Sequence, residues 1–252
     1  PQFIKMAVIS RELRKYYKEI LVHTGQHYDH NMSQVFFEEL AIPSPDYNLG
    51  ISGGSHSQMT ANMMIELEKV FEKEQPDCVL LFGDTNSTLA AALVAVKLLI
   101  PVAHVESGNR FGTFSSPEEV NRIVTDHIST ILFSCTQSAL NSLISENLGN
   151  KSYLVGDPMY DAFLFYQNGA DENSEKFLTS LNGKEIAIPE NFYYLTCHRQ
   201  ENTEKIETLL EILSAMEELE FPTIYPVHPR NKNRVLELQK EQYFSNIIYR
   251  KI

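Results

Sequence analysis

Two patterns of apolar residues alternate along the chain. Short unbroken runs read as strands buried on both faces: Asp77 to Phe82, Ile100-Pro101-Val102-Ala103, Ile131-Leu132-Phe133 and Tyr153-Leu154-Val155. Between them lie stretches with helical spacing. A long one runs from the polar loop Gly50–Ser57 to about Glu74, with Met59, Met63, Leu67, Val70 and Phe71 on one face, and an alanine-rich one runs from Thr88 to Leu99. Further helices are predicted from Phe3 to Tyr17, from about Met32 to Leu40 before Pro43 and Pro45, and from Ser138 to Leu148. Ile20-Leu21-Val22 reads as a short strand.

Continuous strands alternating with amphipathic helices predict an α/β fold with parallel sheets, whose ligands bind at the carboxyl ends of the strands. Between Asn168 and Glu190 the composition turns polar and charged, which predicts a linker, and then the alternation resumes. Phe192 to Thr196, Thr223 to Val227 and Ile247-Ile248-Tyr249 are the later strands, with helices from about Thr203 to Leu219 and from about Asn231. Two domains are expected, residues 1–168 and 169–252. A helix at the chain start implies a strand before it, and three strands make a thin second domain, so truncation at both ends is expected.

Composition narrows the partners. The formal charge of -12 over 252 residues argues against nucleic acid and anionic membranes, which are bound through excess Lys and Arg. An anionic substrate would need a locally basic pocket. No apolar run approaches the roughly 20 residues of a membrane span, so a cytoplasmic protein is expected. Cys78, Cys135 and Cys197 are far apart and lie in or beside apolar runs, which predicts buried thiols.

Candidate chemistry collects where strands end. Gly83-Asp84-Thr85-Asn86-Ser87 follows one strand and opens a helix: either an anion or hydroxyl site, or a turn in which Asp84 or Ser87 caps the helix. Glu106, in His104-Val105-Glu106-Ser107-Gly108-Asn109-Arg110, sits at the tip of the next strand. If the strands are neighbours, Asp84 and Glu106 face one crevice and suit proton transfer. The alternative is that Glu106 pairs with Arg110 or Arg122. Glu118 and Arg122, four apart, would share a helix face. Cys197-His198-Arg199-Gln200-Glu201-Asn202 again joins a strand to a helix, and Val227-His228-Pro229-Arg230 repeats the arrangement, so both offer cations to a diphosphate. His23, His27 and His30 raise a metal reading, but Gly25 opposes a helix there and one short loop rarely closes around zinc, so no metal is expected. The aromatics of Asn191-Phe192-Tyr193-Tyr194 read as strand packing.

These residues resemble a known family. His23-Thr24-Gly25-Gln26-His27-Tyr28, Gly83 to Ser87, His104-Val105-Glu106-Ser107-Gly108, Pro117-Glu118-Glu119 with Asn121-Arg122, Gly156-Asp157, His198-Arg199 with Glu201-Asn202, and Pro226-Val227-His228-Pro229 look like the non-hydrolysing UDP-N-acetylglucosamine 2-epimerases. The resemblance implies two Rossmann-like domains of the glycosyltransferase-B type, the second incomplete in this chain, with the sugar nucleotide in the cleft between them. It implies cofactor-independent interconversion of UDP-N-acetylglucosamine and UDP-N-acetylmannosamine by elimination and re-addition of UDP, for cell-surface polysaccharide precursors, by a homodimer. Carried over, Asp84, Glu106, Glu118 and His198 are the catalytic candidates, and Lys5, Arg122, Arg199 and His228 the substrate-binding ones.

Departures from the family pattern set the alternatives. Ser107 stands where Ala is usual, and Gly108-Asn109-Arg110 resembles relatives acting on UDP-2,3-diacetamido hexuronates. Gln26-His27-Tyr28-Asp29 departs from the form associated with allosteric activation, so that regulation is not expected. The family's arginine before Pro1 and its nucleotide-gripping Ser-Gly-Gly motif fall outside the chain. A catalytically incomplete sugar-nucleotide binding module is therefore the other alternative.

Overall fold

The structure is a computed structural model that describes residues 2–25, 37, 39–114, 116–170, 176–197, 200–203, 205–228, 231–241 and 244–251. By internal contacts the chain divides into two compact units, Pro1–Asn168 and Gly169–Ile252. Each is α/β with a parallel sheet.

In the first unit α1 (Phe3–Leu13) precedes β1 (Val22–His23), which pairs in parallel with β2 (Tyr47–Asn48). Then come α2 (His56–Glu74), β3 (Val79–Phe82), α3 (Asn86–Lys97), β4 (Val102–Val105), α4 (Pro117–Ile128), β5 (Ile131–Ser134), α5 (Gln137–Ser145), β6 (Ser152–Leu154) and α6 (Pro158–Ala170). Strands β3 to β6 form one parallel sheet in chain order, with Phe82 opposite Val105 and Val105 opposite Phe133. This register brings the ends of β3, β4 and β5 together. The core beside it is built from Met63, Leu67, Val70 and Phe71 of α2 against Ala90, Ala91, Ala92, Val94 and Ala95 of α3. The alanines let the two helices approach closely. Caps set where the helices start: Ser55 with Gln58 forms a capping box on α2, and Thr85 accepts from Thr88 N (3.3 Å) on α3.

The second unit holds the hairpin β7 (Phe177–Thr179) and β8 (Glu185–Ala187), then β9 (Tyr193–Tyr194), α7 (Ile206–Glu217), β10 (Thr223–Val227), α8 (Lys232–Glu241) and β11 (Ile247–Lys251). The order β11-β10-β9 is parallel, with Leu209, Leu213, Tyr225, Val227, Val235 and Leu238 in its core.

Several expectations change. The 168–190 stretch is more than a linker: it contains β7–β8, closed by Asn182-Gly183 with Gly183 at φ +77°, and joined to β11 through Leu181 N to Tyr249 O (2.9 Å). Helix α6 was not expected, and α1 ends at Leu13 rather than Tyr17 because the chain turns there, leaving Tyr16 and Tyr17 exposed. Phe192, Tyr193 and Tyr194, expected to pack, are exposed at and beside the edge strand β9. All three cysteines are free thiols, but only Cys197 is buried; Cys78 precedes β3 and is exposed. Most of the helix expected from Met32 to Leu40 lies outside the described residues, as do Met32, His27 and His30.

Candidate active site

Strand β3 is followed by Gly83, whose φ of +66° is a left-handed conformation that a side chain would strain. Because Thr85 caps α3, the carboxylate of Asp84 is free for another partner. Its Oδ2 accepts from Arg122 Nη2 at 2.5 Å, and its backbone carbonyl accepts from Asn121 Nδ2 at 3.0 Å.

Strand β4 ends in Glu106, a non-glycine residue at φ +71°, a left-handed conformation that costs about 1–2 kcal/mol. The Phe133 carbonyl holds this turn by accepting from Glu106 N (3.0 Å) and Ser107 N (3.1 Å). The Glu106 carboxylate pairs with Lys5 Nζ from α1. The expected alternative partners, Arg110 and Arg122, are engaged elsewhere: Arg110 with Glu146 (2.7 Å) and Asp126 (2.8 Å), Arg122 with Glu119 and Asp84.

Helix α4 supplies the third wall. Ser116 accepts from Glu119 N and Pro117 occupies the first turn, with Glu118 and Glu119 at the favourable end of the helix dipole. The expected Glu118–Arg122 pair is replaced by Glu119–Arg122, at 2.6 Å and three residues apart, because the helical phase turns Glu119 inward, leaving it 1% exposed, and Glu118 outward. The other oxygen of Glu119 accepts from Phe111 N (2.8 Å) and Gly112 N (3.2 Å), so one buried carboxylate fixes both the arginine and the loop after β4. The Arg122 guanidinium lies 4.8 Å from the Phe111 ring centroid.

Asp84, Glu106, Lys5 and Arg122 thus gather at the carboxyl ends of two adjacent parallel strands, each carboxylate with its own cation. Glu119, Asn121 and His104, which the motifs contained without an assigned role, and Asp126, which no motif contained, are buried polar groups around these side chains. Glu119, Arg122 and Asp126 recur at three- and four-residue steps along α4, a polar stripe whose inward phase was the available signal.

His198 and Arg199 lie outside the described residues. The segment leading to them is anchored: the Cys197 carbonyl accepts from Tyr225 Oη and from buried Asn231 Nδ2, both at 2.9 Å. His228 is half-buried at the end of β10, its carbonyl accepting from Asn231 N (2.8 Å). His23 stacks on Phe3 with ring centroids 5.5 Å apart, and burial lowers its pKa below the ordinary histidine value despite the Asn48 hydrogen bond. Among the described residues no three His, Cys, Asp or Glu side chains form a metal-binding group, and no helix is long and apolar enough to cross a membrane.

Cys135, at the end of β5, lies in the field of the same groups. Burial, then the charges of Asp157 and Glu106, push its thiol up to about 11, outweighing Lys5. The thiol thus stays neutral across the pH range where an unfolded cysteine has ionised, so its stabilising contribution is intact below the ordinary value of 9.0 and lost as the pH rises through about 11. Alkylation of Cys135 by iodoacetamide at pH 8 is expected to be much slower than in the unfolded chain. Peptide mapping that finds the two rates equal would contradict this placement.

A profile of the UDP-N-acetylglucosamine 2-epimerase family matches residues 11–250. The UDP-N-acetylglucosamine 2-epimerase homolog of Methanococcus maripaludis is 45% identical over 98% of this chain and 67% of its own. The UDP-2,3-diacetamido-2,3-dideoxy-D-glucuronate 2-epimerase of Pseudomonas aeruginosa is 45% identical over 94% of this chain and 67% of its own. The crystal structure of Methanocaldococcus jannaschii UDP-GlcNAc 2-epimerase in complex with UDP-GlcNAc and UDP aligns with a TM-score of 0.85 at 40% identity, covering 99% of this chain and 70% of that one. The chain spans about two thirds of the length of the curated relatives it matches. With strand-end carboxylates and cations in this arrangement and a family profile matched along nearly its whole length, the chain belongs to the UDP-N-acetylglucosamine 2-epimerase family.

Proposed function

We propose that the protein carrying this chain interconverts UDP-N-acetylglucosamine and UDP-N-acetylmannosamine. The observation that carries the reading is the cluster of Asp84–Arg122 and Glu106–Lys5 at neighbouring strand ends, in a chain of this family. A carboxylate removes the proton at C2, the C1–oxygen bond breaks with its electron pair leaving on UDP, and a 2-acetamidoglucal remains. UDP then adds back at C1 while a proton is delivered to the opposite face of C2. The proton transfers need carboxylates poised on both faces of the ring, and the departing diphosphate needs cations.

Glu106, Asp84 and Glu118 are assigned the proton transfers. Lys5 and Arg122 are assigned the developing negative charge; from the resemblance, His198 is a further catalytic candidate and Arg199 and His228 are substrate-binding candidates. Glu118 is exposed on the first turn of α4, where a carboxylate can meet a ligand, whereas Glu119 is committed to Arg122 and the Phe111 loop. A homodimer in the cytoplasm, supplying cell-surface polysaccharide precursors, completes the reading.

A second substrate is favoured by one observation: the 45% identity to the diacetamido-glucuronate epimerase equals that to the archaeal 2-epimerase homolog. Incubation in deuterated water with each UDP-sugar decides between them. Deuterium is expected at C2 of the recovered sugar, with both C2 epimers still linked to UDP. Free N-acetylmannosamine as the product would indicate hydrolysis instead, and exchange with neither substrate would remove the epimerase reading.

A further inference from the structure

His104 is fully buried within β4, two residues before Glu106, and both of its ring nitrogens are engaged. Nε2 lies 2.7 Å from the carbonyl oxygen of Gly83, the residue directly before Asp84. A carbonyl oxygen only accepts, so Nε2 carries the hydrogen of that bond. Nδ1 lies 2.7 Å from Oδ1 of Asp126, which is itself fully buried on α4. The other oxygen of Asp126 accepts from Gly108 N (3.0 Å) and Arg110 Nη1 (2.8 Å). Asp126 thus faces three donors and Nδ1 is one of them. Burial alone would raise the Asp126 carboxyl, but the His104 hydrogen bond and charge, then Arg110, hold it below the ordinary carboxylate value.

We propose that the buried His104–Asp126 pair is a positioning element that fixes the turn carrying Asp84 against the turn carrying Glu106. The protonated ring suits the task because it offers two donors pointing apart from one rigid frame, its charge facing the Asp126 carboxylate. One end holds the backbone at Gly83; the other, through Asp126, holds Gly108 on the far side of Glu106. Two strand ends and α4 are thereby tied at a single point. Glu106 sits in a left-handed conformation that its surroundings must enforce, and Gly108 cannot be displaced toward α5, because even a Cβ there would lie 2.3 Å from the Ala139 carbonyl oxygen. If the core needed only filling, an apolar side chain would serve, since replacing buried ion pairs by apolar groups is often neutral for stability. A ring bonded at both ends is explained by the geometry it imposes.

This role rests on the proposed epimerase reading, in which Asp84 and Glu106 act on the sugar. The test compares the full-length protein with its His104→Leu and His104→Gln forms, reading kcat, KM for UDP-N-acetylglucosamine and thermal melting. His104→Leu is expected to lose about 100-fold in kcat, the effect of misplacing a catalytic group by about 1 Å. KM should stay within about threefold, because substrate binding is not what the pair serves. Glutamine keeps a donor toward Gly83 and should recover part of the loss. A folded His104→Leu protein that keeps the parental kcat would overturn the role. A parent that exchanges no C2 hydrogen would sink the epimerase reading and this role together. If neither variant folds, nitrogen-15 spectra of the parent decide: both ring nitrogens of His104 should carry slowly exchanging protons, and a ring nitrogen without one would refute the arrangement.

Discussion

Glu106→Gln is expected to lower the rate of hydrogen exchange at C2 of the UDP-sugar by about 10²- to 10⁴-fold, the range removed with a positioned acid or base. The substitution is nearly isosteric and leaves the turn after β4 intact, since Phe133 holds that turn through backbone donors alone. What disappears is the ability to take a proton and the negative charge opposite Lys5. Binding of the UDP-sugar should change far less than the chemical step, because an amide still fills the space. Single-turnover exchange measured at saturating substrate separates the two. An amide variant exchanging within about threefold of the parent would remove Glu106 from the proton transfers.

The largest effect on stability is expected from Arg122→Leu. Arg122 is 7% exposed by side chain and neutralises Glu119, which is 1% exposed, as well as Asp84. Removing it leaves one carboxylate buried without a cation, for which about 3–5 kcal/mol is the usual cost. The two backbone donors from Phe111 and Gly112 remain on Glu119, so part of its solvation survives. Replacing Glu119 and Arg122 together by leucine should restore much of the loss, since the uncompensated charge goes with its partner. Urea unfolding of the parent, the single variant and the double variant measures this directly. A single variant within about 1 kcal/mol of the parent would show that the pair carries little of the site's rigidity. Activity should be lost in both variants.

Much of the strand-end geometry could be read from the chain because it is local. Unbroken apolar runs ending in Gly83-Asp84 and Val105-Glu106 place two carboxylates at strand tips, and the parallel β3–β4 pairing makes those tips neighbours. The partners of these carboxylates were hidden for a different reason. Lys5 meets Glu106 across 101 residues of sequence, a separation that no periodicity encodes. For Arg122 two glutamates stood at permissible helical spacing, and only the phase set by Ser116 and Pro117 selects Glu119 over Glu118. Helix α6 escaped because Phe163, Leu164, Phe165 and Tyr166 are apolar in succession, so no amphipathic stripe marks them. The β7–β8 hairpin carried a legible turn signal in Asn182-Gly183, overshadowed by the polar composition around it.

The same physical elements also explain why His104 and Asp126 drew no attention as chemistry. Both are fully buried, and each bonds backbone beside a strand-end carboxylate, His104 at Gly83 and Asp126 at Gly108.

Incorporation of deuterium at C2 most directly tests the assignment of this strand-end cluster to 2-epimerisation. The full-length protein is incubated in deuterated water with UDP-N-acetylglucosamine and, separately, with UDP-2,3-diacetamido-2,3-dideoxy-glucuronate, and the sugar is followed by proton NMR. Loss of the C2 proton signal, with both C2 epimers present and still attached to UDP, is the expected result for at least one substrate. Retention of the C2 proton in both would contradict it.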